Sequence, residues 1–136
     1  MKEISVEIIT PSQSAYNGQV KSITVPGTLG NFQVLFNHAP LISSLEIGKI
    51  VIEDATAQQI EYATGGGTVE VKDNKVLVLA DSVELVNEID VDRAQKAFER
   101  AKERLASRGK GDIDIMRAEL ALQRAINRMK LAGVKI

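Results

Sequence analysis

Six arginines in the C-terminal part of the chain recur at one spacing. Three stand at positions i, i+7 and i+11 of one segment, and three repeat that spacing further on: Arg93, Arg100, Arg104, Arg117, Arg124 and Arg128. A guanidinium group binds a phosphate or a carboxylate through paired hydrogen bonds. Arg124 and Arg128 have no acidic residue three or four positions away, and such a like pair costs an isolated helix about 0.2–0.5 kcal/mol. An anionic partner, either a phosphate or an acidic surface, is therefore expected to face this pair; an ordinary solvated helix face is the alternative.

The other polar residues predict no catalytic site. The chain has no cysteine and one histidine, His38, which stands in a loop before Ala-Pro and has no thiol to activate. We expect it to pack or to donate a hydrogen bond. The three glycines at 65–67 are not followed by Lys-Ser or Lys-Thr, so they predict a tight strand crossing or bulge and not a phosphate-binding loop. The carboxylates are scattered and one histidine makes no zinc site, so we expect no metal and no required cofactor.

Two amphipathic helices between Asp90 and Leu131 must position the arginines. Their apolar residues follow steps of three and four, and bulky residues alternate with alanine: Ala94, Phe98, Ala101 and Leu105, then Ile115, Ala118, Leu122, Ala125, Met129 and Ala132. Such a seam lets two helices approach toward the short end of the ~8–10 Å packing range. The seam buries little apolar area, so the hairpin is expected to be marginally stable alone. We expect Asp90 to cap the first helix, Gly109 to end it, and Asp112 or Asp114 to cap the second.

The residues before the hairpin predict an all-β unit. Short runs alternate apolar and polar residues from Ile4 onward, and turn residues separate them at regular intervals. We place turns at Asn17-Gly18, at Gly48 and at Lys72–Lys75. The fold class is therefore β + α: an N-terminal antiparallel β-sandwich over residues 1–86, followed by a C-terminal two-helix antiparallel hairpin over residues 87–136.

Charge differs between the two predicted domains. Residues 1–86 carry a net charge of −5 and residues 87–136 carry +4. A basic hairpin next to an acidic body can dock on that body or reach an acidic partner. No apolar run approaches the ~20 residues that span a bilayer, and the N-terminus alternates apolar and polar residues, so we expect a soluble intracellular protein without direct membrane insertion.

The hairpin residues also carry a resemblance to a known family. The chain reads Ile-Asp-Val-Asp-Arg-Ala at 89–94 and Arg-Ala-Glu-Leu-Ala-Leu-Gln-Arg-Ala-Ile-Asn-Arg at 117–128. Upstream, Val-Glu-Ile-Ile-Thr-Pro, the Asn-His-Ala-Pro-Leu loop at 37–41 and Gly-Gly before Val-Glu-Val follow in the family order. The chain thereby resembles, over its whole length, the epsilon subunit of bacterial rotary F-type ATP synthases.

The resemblance implies a fold and a set of partners. The sandwich, of about ten strands in this family, would pack on the gamma subunit of the central stalk and touch the c-ring, at the cytoplasmic face of the cell membrane. The hairpin would fold down on the sandwich or extend along gamma into the catalytic alpha/beta ring, where it inhibits ATP hydrolysis. The subunit itself would be non-catalytic.

The resemblance also implies an ATP site in some bacterial members. Their Ile/Leu-Asp-x-x-Arg-Ala motif matches Ile89, Asp90, Arg93 and Ala94, and the partner positions fall on Glu84, Arg124 and Arg128. Bound ATP would favour the folded, non-inhibitory hairpin.

One position departs from the family pattern. Many members have Gly-Glu-Leu-Gly-Ile where this chain has Gly-Asn-Phe-Gln-Val at 30–34. Asn31 therefore replaces an acid that family members use toward the c-ring.

Two other functions compete with the rotor subunit. A stand-alone β-sandwich sensor, whose hairpin closes on a phosphorylated ligand, fits the same residues. A nucleic-acid-binding module fits poorly, because the β unit is acidic and only 4% of the residues are aromatic. We expect no nucleic-acid partner.

Overall fold

The computed structural model of the protein describes residues 2–107 and 115–134. The chain folds as two compact units, Met1–Leu85 and Val86–Ile136. Within the described residues the first unit contains seven strands: β1 (Ile4–Ile9), β2 (Ser14–Gly27), β3 (Gly30–Val34), β4 (Leu41–Asp54), β5 (Gln59–Lys72), β6 (Lys75–Ala80) and β7 (Val83–Leu85). Fewer strands form than the ten predicted, because β2, β4 and β5 are each 14 residues long, more than twice the usual five or six.

Five of the strands close on themselves. The order β1-β6-β5-β4-β2 returns to β1, which pairs with β2 as well as with β6. The neighbours run antiparallel except β1 and β6, which are parallel, so the predicted antiparallel sandwich has one parallel pair. Closure pairs β1 and β6 on both sides, whereas residues 14–19 of β2 pair only with β1 and residues 41–44 of β4 pair only with β5. The short strands β3 and β7 add to β2 and β5.

The interior of the first unit is built from branched aliphatic side chains. Alternate residues of each strand point inward, as the period of two requires, and the fully buried ones include Ile4, Val6, Ile8, Val20, Ile23, Val25, Ile50, Ile52, Val69, Val71 and Val78. This cluster belongs entirely to residues 4–80. The first unit therefore has a hydrophobic core of its own.

The glycine run at 65–67 marks the point where β5 changes partners. Gly67 pairs with Ala80 of β6, whereas Thr64 pairs with Val83 of β7. Gly66 and Gly67 have φ of +99° and +148°, and a Cβ on Gly67 would lie 2.1 Å from the carbonyl oxygen of Leu79. The predicted tight crossing is confirmed, since only glycine fits this backbone approach.

Two of the predicted turns are wrong. Asn17 and Gly18 lie inside β2, opposite Glu7 and Val6 of β1, and the turn instead falls where the Thr10 amide donates to the Gln13 carbonyl at 2.9 Å. The Gly18 backbone lies under the ring of Tyr16, whose hydroxyl would be 3.2 Å from a Cβ there.

Gly48 lies inside β4, opposite Thr64 of β5. A Cβ on Gly48 would lie 2.9 Å from the Cβ of Pro26, so this glycine allows close packing of β4 on β2 and makes no turn. The predicted turn at Lys72–Lys75 is confirmed, with Asp73 and Asn74 at positive φ between β5 and β6.

That turn holds the loop between β3 and β4. The Asn37 amide donates to Asn74 Oδ1 at 2.6 Å, and Asn74 Nδ2 donates to Asn37 Oδ1 at 3.3 Å. In the same loop His38 Nδ1 donates to the Ala39 carbonyl at 2.7 Å. The hydrogen-bonding role expected for His38 is thereby confirmed.

The second unit begins with a 3₁₀ turn at Val86–Glu88 and continues with α1 (Val91–Ala106) and α2 (Ile115–Leu131). Asp90 caps α1 as predicted, because its carboxylate accepts the Arg93 amide at 3.1 Å. The backbone of α1 ends at Ser107. Gly109, Asp112 and Asp114, predicted as helix-terminal residues, lie outside the described residues.

The seam between α1 and α2 is narrow, as the sequence predicts. Its fully buried residues are nearly all alanine: Ala94, Ala101, Ala118, Ala125 and Met129. Phe98 is half-buried, and Lys102 Nζ lies 5.1 Å from its ring centre. Ile115 is 40% exposed, so the prediction that it is buried in the seam is wrong.

We predict that Gly67→Ala strongly destabilises the protein. The added Cβ overlaps the backbone of the next strand, and a loss of about 4 kcal/mol or more in the free energy of unfolding is expected. Gly30→Ala is the matched control: Gly30 also has a positive φ, of +123°, but no atom lies within 4 Å of its virtual Cβ. Backbone strain alone costs about 1–3 kcal/mol there. Urea unfolding of the two variants measures the difference, and equal losses would contradict the steric argument.

Candidate functional site

The predicted ATP-binding motif forms the start of α1. Asp90 is exposed, and one of its carboxylate oxygens accepts the Arg93 amide of the first helical turn. The carbonyl of Asp90 accepts the Ala94 amide at 3.0 Å, and the Ile89 amide donates to Val86. The motif therefore has a structural function, since an Asp N-cap contributes about 0.5–2 kcal/mol to a helix. One carboxylate oxygen is used in that cap.

The hairpin brings the motif next to the arginine pair of α2. Because α1 and α2 run antiparallel, the first turn of α1 lies beside the last turns of α2. Ala94 is fully buried at the start of the seam, and Ala125 and Met129 are buried on α2. Arg93, Arg124 and Arg128 are therefore at the same end of the hairpin.

The same three arginines also lie on one face. Arg93 directly precedes Ala94, Arg124 precedes Ala125 and Arg128 precedes Met129, so each points about 100° to the same side of its seam residue. The axes of two antiparallel helices define a plane, and the hairpin has one broad face on each side of that plane. A two-fold rotation about an axis perpendicular to the plane exchanges the helices but does not exchange the two faces. Residues with the same offset from the seam on either helix therefore lie on the same broad face.

Arg124 has a polar atom that lacks a partner. Its side chain is half-buried, and its Nε is buried without a hydrogen-bond acceptor in the described part of the chain. Leaving a buried donor unsatisfied costs about 1–3 kcal/mol. Arg128 is also half-buried, whereas Arg93 is exposed and lines an open depression of about 840 Å³ along α1. The Arg124 donor could be satisfied by a bound anion.

Glu84 belongs to the other unit. It lies in β7, opposite Ala63 of β5, and is half-buried. The helical unit holds the remaining predicted residues, and of these Asp90, Arg93, Ala94, Arg124 and Arg128 meet at one end of the hairpin. Ile89 precedes the cap and is half-buried.

A second candidate surface was missed in the sequence. The run at 76–80 looks uniformly apolar, but its residues alternate: Val76 and Val78 are buried, whereas Leu79 is 48% exposed. Strand register places Leu77 between Glu7 and Glu70, and Glu70 opposite Ile42, which is 77% exposed.

The apolar side chains on this outer side are interrupted by acids. Leu79 of β6 pairs with Ile9 of β1, whereas Glu70 of β5 separates Ile42 from Leu77, and Glu7 of β1 follows Leu77. We call the four apolar residues, Ile9, Ile42, Leu77 and Leu79, the outer apolar face. Exposed apolar patches of this kind mark protein interfaces. The period of two in 76–80 was hidden because both faces of the strand are apolar.

The hairpin between β2 and β3 carries a further exposed apolar residue. Leu29 is fully exposed in the turn, between Gly27 and Gly30, which pair with each other. Asn31 follows on β3, opposite Pro26, and is also exposed. A fully exposed leucine beside a polar amide forms a projecting contact point on the first unit.

We also searched the described residues for metal-ion sites and for membrane-spanning helices. In residues 2–107 and 115–134, no three histidine, cysteine or acidic side chains group together in a way that could hold a metal ion. Over the same described ranges, no helix has the length and apolarity needed to cross a membrane.

Two family descriptions match the chain, one for each unit. The family described as ATP synthase, Delta/Epsilon chain, beta-sandwich domain matches residues 3–86. The family described as ATP synthase, Delta/Epsilon chain, long alpha-helix domain matches residues 87–133. Together they cover nearly the whole chain in the expected order.

Curated relatives agree with the family matches. The ATP synthase epsilon chain of Anaeromyxobacter sp. (strain K) is 38% identical over 130 residues, 96% of this chain and 98% of that protein. That of Nitratidesulfovibrio vulgaris (strain DP4) is 43% identical over 132 residues, 97% of each protein. That of Carboxydothermus hydrogenoformans is 49% identical over 108 residues, 78% of each.

Solved structures share the fold at lower identity. A chain of the Euglena gracilis mitochondrial ATP synthase (OSCP/F1/c-ring) superposes with a TM-score of 0.79 at 22% identity, covering 93% of this chain and 79% of that one. A chain of the Tetrahymena thermophila mitochondrial ATP synthase central stalk and c-ring gives 0.64 at 16% identity, covering 98% of both. The resemblance predicted from the residues is confirmed, and the chain belongs to the delta/epsilon-chain family of ATP synthases.

Proposed function

We propose that this protein is the non-catalytic rotor and regulatory subunit of an F-type ATP synthase. Its β-sandwich would link the gamma subunit to the c-ring, and its hairpin would inhibit ATP hydrolysis. The observation that carries the proposal is the pair of family matches, which cover the sandwich and the helices of one chain in order. The protein would act peripherally, at the cytoplasmic face of the cell membrane.

The outer apolar face supports a docking role for the sandwich. Ile42 and Leu79 are large apolar side chains that the first unit leaves exposed, although its core is complete. Burying such side chains at an interface contributes about 25 cal/mol per Å² of apolar area. We assign this face to gamma, because it is broad, follows four strands and can take an extended partner surface.

The β2–β3 turn is the contact that we assign to the c-ring. Leu29 projects fully into solvent, and Asn31 stands where the family pattern has an acid. An amide cannot form the charge-assisted hydrogen bond of a carboxylate. At this contact, apolar burial of Leu29 and neutral hydrogen bonds from Asn31 would replace an ion pair.

The build of the second unit supports a mobile hairpin. In its described part, four of the five fully buried apolar residues are alanines, so α1 and α2 stabilise each other weakly and depend on an external surface. Two docked states need to differ by only a few kcal/mol for a ligand to select between them. In the extended state the arginines would meet acidic surface of the beta subunits.

The unsatisfied Arg124 Nε supports ATP as that ligand. Arg93, Arg124 and Arg128 share one face and one end of the hairpin, and guanidinium groups bind phosphates bidentately. The second carboxylate oxygen of Asp90 is an acceptor suited to the base or ribose. ATP is thus a regulatory ligand in this proposal and not a cofactor.

A stand-alone sensor is the second candidate. It would use the same arginine pair for a phosphorylated ligand and leave the outer apolar face without a partner. Co-purification with gamma and the alpha/beta ring distinguishes the two candidates, because a sensor would elute by itself.

We predict that charge on the outer apolar face weakens gamma binding. Ile42→Glu with Leu79→Glu is expected to raise the dissociation constant at least about tenfold, because interface anchors contribute roughly 1–4 kcal/mol each. Gln58→Glu with Gln59→Glu adds the same charge at the exposed β4–β5 turn and serves as the control. Titration of purified gamma measures both, and equal weakening would assign the effect to net charge alone.

We predict that deleting residues 87–136 raises the ATPase rate of the reconstituted complex, most strongly at low ATP. The truncated chain keeps every core residue of the first unit, so it can still occupy the rotor position. Hydrolysis rates of complexes with either chain are compared over a range of ATP concentrations. If the two rates agree throughout that range, the hairpin does not regulate this enzyme.

We predict that Arg124→Gln and Arg128→Gln each weaken ATP binding to the full-length protein at least about tenfold, the effect of losing a charged hydrogen bond. Lys130→Gln removes one charge from the same helical turn on another side and should change affinity less than about twofold. Calorimetric titration at fixed salt compares the variants. The absence of any heat with the parent protein at high ATP would eliminate the site.

Asp90 requires a separate control because it caps α1. Asp90→Ser keeps an N-cap hydroxyl and removes the carboxylate, whereas Asp90→Ala removes both. We expect both variants to bind ATP weakly, with only the alanine variant losing thermal stability. Full ATP affinity in the serine variant would limit Asp90 to its capping role.

A further inference from the structure

The arginine face of the hairpin extends well beyond the ATP site. Each arginine of the described helices directly precedes a seam residue: Arg100 precedes Ala101, Arg104 precedes Leu105 and Arg117 precedes Ala118, as Arg93, Arg124 and Arg128 precede theirs. The offset from the seam is therefore about 100° in every case. By the two-fold relation of antiparallel helices, all six arginines share one broad face.

The two broad faces differ sharply in charge. Among the described residues, no lysine and no acid directly precedes a seam residue, so the arginine face is formed by six guanidinium groups without a carboxylate at the same offset from the seam. The residues that directly follow the seam, on the opposite face, include Glu99, Glu119, Lys102 and Lys130, whose charges cancel. The arginines of the described helices are thus concentrated on one side.

The arginine face is also too long for a triphosphate. Arg93 and Arg104 are eleven residues apart on α1, which is about 16 Å at 1.5 Å per residue. Because the helices run antiparallel, Arg93 and Arg128 belong to one end of the hairpin and Arg104 and Arg117 to the other. One pair lies at the ATP end, and the other lies at the end where α1 and α2 are joined.

We propose that this face binds linear inorganic polyphosphate, which runs from the ATP end toward Arg104 and Arg117. The inference extends the proposed ATP site and depends on it only at that end. Every unit of a polyphosphate chain carries negative charge, and the flexible chain can follow staggered arginines. The exclusive use of arginine favours phosphate recognition through paired hydrogen bonds over attraction by charge alone.

The test titrates full-length protein with ATP, with tripolyphosphate and with long-chain polyphosphate at one salt concentration. The long chain is expected to bind at least about tenfold more tightly than tripolyphosphate, since it gains charged hydrogen bonds at the far end. Arg104→Gln with Arg117→Gln should remove most of that gain and leave ATP affinity unchanged. Both positions are exposed and glutamine is a good helix former, so circular dichroism should show an intact hairpin.

Lys102→Gln with Lys130→Gln is the matched control, because it removes two charges from the opposite face. Its long-chain affinity should stay within about twofold of the parent. An equal loss in control and test variants overturns the proposal, and so does a long chain that binds no more tightly than tripolyphosphate. A polyglutamate peptide that binds equally through the same arginines also overturns it.

The outcomes separate this inference from the ATP site. Failure of ATP to bind, together with tight long-chain binding that needs Arg104 and Arg117, would remove the ATP site and support the polyphosphate face. Normal ATP binding, with long-chain affinity unchanged by the Arg104 and Arg117 substitutions, would support the ATP site and overturn the polyphosphate face.

Discussion

The alanine seam between α1 and α2 determines most properties of the hairpin. Alanine at Ala94, Ala101, Ala118 and Ala125 allows close approach but removes little apolar surface from water, so the helices depend on a further partner for stability. The same seam sets the rotation of each helix. Because each arginine of the described helices directly precedes a seam residue, seam packing places these six guanidinium groups on one face.

The sandwich, in contrast to the hairpin, is stabilised by its own core. Its five strands close into a ring, its core is made of buried valine and isoleucine, and Gly67 lies against backbone where no side chain fits. Such a unit resists local opening. In the proposed rotor function, the sandwich would be the rigid body that transmits torque and the hairpin would be the segment that moves.

The sequence predicted those features that depend on local chemistry. The Asp90 cap follows from its position before a periodic segment, and the Gly67 crossing follows from three glycines between apolar runs. The turn predicted at Gly48 failed because this glycine makes room for Pro26 of a neighbouring strand, and the turn predicted at Gly18 failed because Gly18 pairs with Val6 of β1. No local pattern reveals either long-range partner. The outer apolar face was hidden for a related reason: Leu77 and Leu79 face outward from a strand that looks buried on both sides, and only strand register separates its faces.

In the proposed regulation, Arg124 would link the weak seam to ligand sensing. Its buried Nε has no acceptor in the described part of the chain, and an unsatisfied buried donor costs about 1–3 kcal/mol. An anion that accepted from this nitrogen would remove that cost only in the conformation that buries Arg124. The proposed ligand would then have the differential affinity that a population shift requires. A larger, more apolar seam would keep the hairpin folded whether or not the Arg124 Nε found a hydrogen-bond acceptor. The proposed switch between hairpin states therefore requires both the weak seam and the unsatisfied arginine.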